Sequence, residues 1–302
     1  MTKQEQINNL KKEKDAVILA HYYAPAEVQD IADYIGDSYY LSKVAVDLKE
    51  KIIVFAGVSF MGESAKLLNT DKKVLMPDIT ADCPMAHMVV KETVEKARKE
   101  YDDLAVACYI NSTAEIKSWS DVCVTSANAV KIVKNLPNKN ILFIPDKNLA
   151  RYVAEKVPEK NFIFNDGYCP IHEEMKATEI KELKEAHENA PVLVHPECNA
   201  DVVAMADYIG STSGIIDYVK ENEAAEYIIG TEEGVSHALK AARLEAKFYF
   251  PKTTPVCEGM KLNTLDNIIK VLENEENDVK DLDKTIGGLA TKALENMLEY
   301  AK

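Results

Sequence analysis

Positive charge is scarce in this chain of 302 residues: 36 Lys and Arg stand against 50 Asp and Glu, a net charge of −14. With no basic surplus to neutralise phosphates, nucleic-acid binding is excluded as a main function. A small anionic substrate is not excluded, since it needs only a locally positive pocket. Long apolar runs are also missing; none approaches the ~18 residues of a membrane span. The first residues, Met-Thr-Lys-Gln-Glu-Gln, carry no signal-peptide apolar core, so the expected location is the cytoplasm. In that reducing setting six cysteines point to metal ligation, catalysis or burial rather than disulfides. What is present is an ordinary globular composition, 47% hydrophobic and 28% charged.

Short apolar runs alternate with helical patterns along the chain. Ala16–Ala20, Ile52–Ala56 and Lys73–Met76 read as strands, as do Leu104–Ile110, Val122–Thr125, Ile141–Ile144, Phe162–Phe164, Val192–Val194, Tyr227–Ile229 and Phe248–Phe250. The i, i+3, i+4, i+7 pattern Val28, Ile31, Ala32, Ile35 predicts a helix over Ala26–Ile35, and a second is predicted over Ala200–Ile209. From Asn263 onward the pattern predicts two amphipathic helices parted by a Gly287-Gly288 turn, packed back on the first unit. Fully apolar strands alternating with helices imply parallel sheets covered on both faces.

The pattern is an internal triplication. Cys83 to Cys169 is 86 residues and Cys169 to Cys257 is 88. The polar residue closing each unit's first strand is His21, Tyr109, then His195, at steps of 88 and 86. The hydroxyl at the following helix start is Ser38, Ser126, then Thr212, at the same steps. An α/β repeat of uniform unit length explains the period, but not why matched positions hold His/Tyr/His, Ser/Ser/Thr and Cys/Cys/Cys. The expected units are 1–86 together with 264–302, then 87–172, then 173–263.

Ligands of open parallel sheets bind beyond the carboxyl ends of the strands. Three units about a pseudo-threefold axis would point those edges at one centre. Three thiolates without a fourth suit an open metal site: zinc with three protein ligands and a water, or a cubane iron–sulfur cluster with one iron left free to act as a Lewis acid. Cys108 and Cys123 lack repeat partners and are expected in the core, as is Cys198 with less support from its position beside Glu197. Ser38, Ser126 and Thr212 would seat anions or serve as plain helix caps. His21 and His195 are candidate ligands of a substrate or satisfied core histidines. Glu197 is a candidate acid/base or a surface carboxylate. Tyr22, Tyr23 and Tyr109 are wall aromatics or proton donors.

At these residues the sequence resembles the quinolinate synthase family, the A protein of bacterial and archaeal NAD biosynthesis. The motifs are His21-Tyr22-Tyr23, Gly36-Asp37-Ser38, Thr80-Ala-Asp-Cys83, Tyr109-Ile-Asn111, Thr125-Ser126-Ala-Asn128, Gly167-Tyr-Cys169, His195-Pro-Glu197, Gly210-Ser-Thr-Ser213, Thr231-Glu232 and Met260-Lys-Leu-Asn-Thr264. The resemblance implies three Rossmann-like, three-layer αβα domains with the active site at the centre. It implies a [4Fe-4S] cluster held by Cys83, Cys169 and Cys257. The implied reaction condenses iminoaspartate (iminosuccinate) with dihydroxyacetone phosphate, releasing phosphate and two waters. An L-aspartate oxidase or aspartate dehydrogenase would supply the imine. His21, Ser38, Tyr109, Ile110, Asn111, Ser126, His195, Pro196, Glu197 and Thr212 would bind the dicarboxylate, and Tyr23, Tyr109 and Glu197 would move protons. The chain departs from the pattern at Cys257-Glu-Gly-Met260, which lacks the Cys-x-x-Cys of some members, so a thiol switch is not expected there. Two other classes stay open: a cluster- or zinc-dependent hydro-lyase on another dicarboxylate, and a non-catalytic iron–sulfur sensor.

Overall fold

A computed structural model describes residues 1–253 and 256–302. The apolar runs become buried central strands, rich in β-branched residues, because a buried extended segment can satisfy its backbone only inside a ladder. The first unit contains β1 (Ala16–His21), β2 (Tyr34–Gly36), β3 (Ile52–Ala56) and β4 (Lys73–Leu75). The second contains β5 (Leu104–Tyr109), β6 (Val122–Val124), β7 (Asn140–Ile144) and β8 (Asn161–Phe164). The third contains β9 (Val192–Val194), β10 (Tyr208–Ile209), β11 (Glu226–Gly230) and β12 (Lys247–Tyr249). The sheet orders are β2-β1-β3-β4, β6-β5-β7-β8 and β10-β9-β11-β12. Every ladder between these strands is parallel. With helices between the strands, each unit is an αβα layer set. In each, the chain steps from the first strand to one edge and returns across it, so the switch point lies at the carboxyl ends of β1, β5 and β9.

The predicted helices over residues 26–35 and 200–209 are not continuous. Ala26–Gln29 and Ala200–Val203 are single helical turns, and the segments that follow are the edge strands β2 and β10. An aspartate stops the helix each time. Asp33 takes the N–H of Ile18 at 2.8 Å on its side chain and returns its own N–H to the Ile18 carbonyl at 2.9 Å. Asp121 treats Val106 the same way at 2.7 and 3.0 Å, and Asp207 treats Val192 at 2.8 and 2.8 Å. Two bonds to the central strand fix the register of the edge strand, overriding an apolar spacing that fits a helix equally well.

The two C-terminal helices part at residues 275–283, not at the glycines. Helix Leu265–Asn274 ends at Glu275 in the left-handed region (φ 51°). Helix Lys284–Tyr300 starts at Asp283, whose carboxylate caps the N–H groups of Thr285 and Ile286, and it runs straight through Gly287-Gly288. The first of the pair packs on the N-terminal helix Lys3–Lys14, with Ile7 against Ile268, Val271 and Leu272. The second lies across the seam of the first two sheets. Its Ala290, Ala293, Leu294 and Met297 share one core with Leu67 and Val122, and Thr291 and Asn296 bond the carbonyls of Leu67 and Asp121.

Candidate active site

The three sheets aim their carboxyl edges at one cavity of about 650 Å³, mouth included. The first unit contributes His21, Tyr23, Ser38 and Cys83, the second Tyr109, Asn111, Ser126 and Cys169, and the third His195, Glu197, Thr212 and Cys257. Ile110 and Pro196 are buried but do not line it. Cys108, Cys123 and Cys198 are buried in the cores of the units, away from it. All six cysteines are free thiols.

Each set reaches the cavity by a local device. His21 and Tyr109 end β1 and β5, and His195 follows β9 directly. Ser38 and Thr212 are first residues of the helices Ser38–Asp47 and Thr212–Glu221, but they are not the caps. Asp37 accepts the Tyr40 N–H at 3.0 Å and Ser211 accepts that of Gly214 at 3.2 Å, which leaves the Ser38 hydroxyl to the cavity and the Thr212 hydroxyl to meet that of Tyr23 at its wall. The Ser126 hydroxyl meets His195 Nε2 at 3.2 Å. The thiol loops of the first and third units touch: a Cβ on Gly259 would lie 2.5 Å from the Asp82 carbonyl oxygen. Gly259→Ala must push the two loops apart at the backbone, which costs about 1–3 kcal/mol. Urea denaturation is expected to show that loss, and iron analysis a matching loss of metal. Unchanged values for both would mean that the loops separate without consequence.

Glu197 is the hub. Its carboxylate takes the Tyr109 hydroxyl on Oε1, and its Oε2 lies 2.8 Å from His172 Nδ1 and 3.9 Å from His195 Nδ1. Its own N–H points at His195 Nδ1, 3.3 Å away. Burial opposes ionisation of Glu197, but the His195 and His172 rings and the Tyr109 hydroxyl outweigh it and hold the carboxyl down at about 2. Burial pushes the Tyr109 and Tyr23 hydroxyls well up, so both stay protonated. At neutral pH the pair thus sets a proton acceptor and a proton donor in direct contact.

Burial also lowers His21 to about 4 and His195 to about 3, so both rings are neutral at pH 7. The unfolded chain takes up these protons near 6.5 and the folded chain resists. Stability is therefore full above that pH and falls as pH drops toward 4, by roughly 3 kcal/mol per histidine. Urea-unfolding free energies of chelator-treated protein at pH 7, 5.5 and 4 are expected to show the decline, shallower by one histidine in His195→Asn. A flat profile would contradict the buried neutral state.

Sequence reasoning passed over His172. It sits one turn beyond Cys169 in the short helix Pro170–Glu173, stacks on His195 with centroids 4.7 Å apart, and lies 3.3 Å from the Cys169 sulfur. With Nδ1–H turned to Glu197, Nε2 is left to accept from the Thr231 hydroxyl at 2.9 Å. Thr231 and Thr212 in turn each meet the Tyr23 hydroxyl at 2.8 Å. A chain of hydrogen bonds thus links Glu197, His172, Thr231 and Tyr23 across the first, second and third units. The short spacing Cys-x-x-His was the available signal.

The donor set suits a soft metal centre. Burial pushes Cys83 up to about 12, Cys169 well up and Cys257 up, so the bare thiols keep their protons. A bound cation reverses that balance by stabilising thiolates. Cys169 Sγ, a His172 ring nitrogen and a Glu197 oxygen all lie within 4.8 Å of one another, so the centre has metal-ligating groups in reach besides the thiols.

Three parallel α/β units pooling thiols, hydroxyls, histidines and a buried carboxylate in one cavity define a triplicated enzyme with a metal-competent centre. The family model of the quinolinate synthetase A protein matches residues 5–299, and the chain belongs to that family. It is 51% identical over 297 residues to the quinolinate synthase of Clostridioides difficile, covering 98% of this chain and 96% of that one. Against the quinolinate synthase of Fusobacterium nucleatum the identity is 51% over 98% and 99% of the two chains, and against that of Caldicellulosiruptor bescii 49% over 97% and 97%. Among the described residues no helix is long and apolar enough to cross a membrane.

Proposed function

We propose that this chain condenses iminoaspartate with dihydroxyacetone phosphate to quinolinate, releasing phosphate and two waters, with Cys83, Cys169 and Cys257 holding a [4Fe-4S] cluster. The observation that carries the reading is the convergence of one thiol from each unit on a cavity otherwise lined by His, Tyr, Ser, Thr and Glu. Three cysteine ligands leave one iron of such a cluster open, and it would supply Lewis acidity toward a substrate hydroxyl or carboxylate.

The chain's own residues do the rest. The hydroxyls of Ser38 and Ser126, with the first free N–H groups of the helices Ser38–Asp47 and Thr212–Glu221, that of Thr212 among them, seat the carboxylates of a dicarboxylic imine. Neutral His21 and His195 donate to the substrate without repelling the imine. Each loss of water needs a proton taken from carbon and one delivered to the departing oxygen. Glu197, ionised, takes the first. Tyr109, bonded to it, returns a proton at the hydroxyl. Tyr23, joined to Glu197 through Thr231 and His172, stands as a proton donor on the opposite wall. The apolar side chains Val58, Phe60, Ile171 and Met260 line the cavity and limit water. An oxidase or dehydrogenase acting on aspartate would supply the imine.

The test is to purify the protein without oxygen, restore iron and sulfide, and incubate it with dihydroxyacetone phosphate and iminoaspartate formed from oxaloacetate and ammonia. Quinolinate, read by mass spectrometry, is the expected product. Iron- and sulfide-replete protein that makes none would overturn the assignment and favour a hydro-lyase on another dicarboxylate.

A further inference from the structure

Two buried carboxylates sit behind the thiol loops, at positions the repeat relates. Val58, Asp146 and Glu232 each lie two residues past the third strand of their unit, at steps of 88 and 86. All three occupy the cap position of the helix that follows. In the second unit Asp146 uses one oxygen for the cap, to Leu149 N at 2.6 Å, and the other for the backbone N–H of Cys169 at 3.1 Å. In the third, Glu232 bonds Gly234 N at 2.7 Å through one oxygen and the backbone N–H of Cys257 at 3.2 Å through the other. A capping role alone does not call for Glu, which is not among the favoured cap residues. What the two share is the second oxygen spent on a cysteine amide.

Both carboxylates are fully buried. Glu232 is paired with Lys261 at 2.9 Å, and that ammonium also bonds the Tyr23 carbonyl at 2.8 Å, tying the Cys257 loop to the first unit. The first unit breaks the pattern, because Val58 has no carboxylate to offer. There the acid is Asp82, directly before the cysteine, held by the Ser59 hydroxyl, by His87 at 2.8 Å and by the Cys83 N–H. Its side chain is 45% exposed, so water competes for each of those bonds.

We infer that Asp146 and Glu232 are positioning residues that hold the amides of Cys169 and Cys257, while the Cys83 loop, whose cysteine amide has only the half-exposed Asp82 carboxylate and whose backbone is held by Ser59 N–H to the Ala81 carbonyl at 2.8 Å, is the one that opens first. Resting on the reading that the three thiols share one metal centre, this makes Cys83 the last ligand to close on an incoming cluster and the first to let go. Directing the Cys169 and Cys257 amides at carboxylates holds these two cysteines in place without metal.

The test uses full-length protein stripped of metal by a chelator under argon and pulsed with iodoacetamide, with each cysteine followed by mass spectrometry. In the unsubstituted protein Cys83 is expected to be modified before Cys169 and Cys257. Glu232→Gln is expected to speed Cys257 about tenfold and leave Cys169 unchanged, with Asp146→Asn doing the reverse, since each amide must spend its one acceptor oxygen on either the cap or the cysteine N–H. Lys261→Met, which removes the counter-charge of Glu232, is expected to speed Cys257 alone. The inference is overturned if Cys83 is not the fastest thiol in the unsubstituted protein, a reading that needs no variant to fold. It is equally overturned if a substitution speeds all three thiols alike. Failure of the metal-centre reading would show separately, as absence of iron and sulfide uptake by the unsubstituted protein.

Discussion

Cys169→Ala is expected to abolish iron and sulfide binding, and Cys123→Ala to leave both near the unsubstituted content. The two thiols differ in position, not in chemistry. Cys169 follows Gly167-Tyr168 in a loop beyond β8, its sulfur facing the cavity and its amide tied to Asp146. Cys123 lies inside β6, opposite Cys108 of β5 and fully buried. Removing Cys169 leaves two thiols for a centre that draws one from each unit, and nothing else from the second unit offers sulfur to the cavity. Removing the Cys123 sulfur leaves only a small void, at about 1 kcal/mol. Iron and sulfide analysis with the visible spectrum of oxygen-free protein decides. A full cluster in Cys169→Ala would sink the ligand assignment, and loss of iron in a folded Cys123→Ala would put the core thiols in the site.

The contrast shows what a repeat makes legible. Cysteines 83, 169 and 257 stood out because they recur, as did His21, Tyr109 and His195, and the structure places all six around one cavity. The central strands were equally readable, since a fully apolar run has few alternatives. Edge strands β2 and β10 were not. Their apolar residues fit a helical period, and the deciding bonds, from Asp33 and Asp207 to residues 15 positions upstream, join strands that have no sequence signal for each other. The middle unit lacks that helix-like spacing, so β6 read correctly as a strand. Comparing the three units would have corrected the other two, because Asp33, Asp121 and Asp207 keep the repeat steps.

Residues that break the repeat were the hardest to find and hold the most chemistry. The matches of Glu197 are Tyr23 and Asn111, and those of His172 are Ala86 and Met260. A threefold scaffold supplies three similar edges, but a substrate with unlike ends needs unlike groups against it. Under the proposed function, symmetry thus accounts for the thiols and the anion seats, while the acid–base roles proposed for Glu197 and His172 fall on positions where one unit diverges. Glu197 was reachable by its place two residues after His195. His172 could be reached only by noticing what lies one helical turn from a thiol.

Glu197→Gln is expected to lower kcat for quinolinate formation by about 10²–10⁴-fold, the usual worth of a positioned general base. KM for the dicarboxylate and the iron content are expected to hold within a few-fold, because the amide fills the same space and the anion seats lie elsewhere. The carboxylate is fixed by Tyr109 and by His172 at 2.8 Å, so the amide can turn its oxygen to His172 and its NH2 to the Tyr109 hydroxyl oxygen while losing the lone pair that takes a proton. Tyr109→Phe should also be slow, and the double variant should be little slower than Glu197→Gln alone, since a base and the acid bonded to it act as one unit. Multiplying losses in the double variant would mean that the two residues serve separate steps. A Glu197→Gln enzyme within tenfold of the unsubstituted rate would move the base to His172, which lies against the carboxylate oxygen opposite the one Tyr109 bonds and reaches Tyr23 through Thr231.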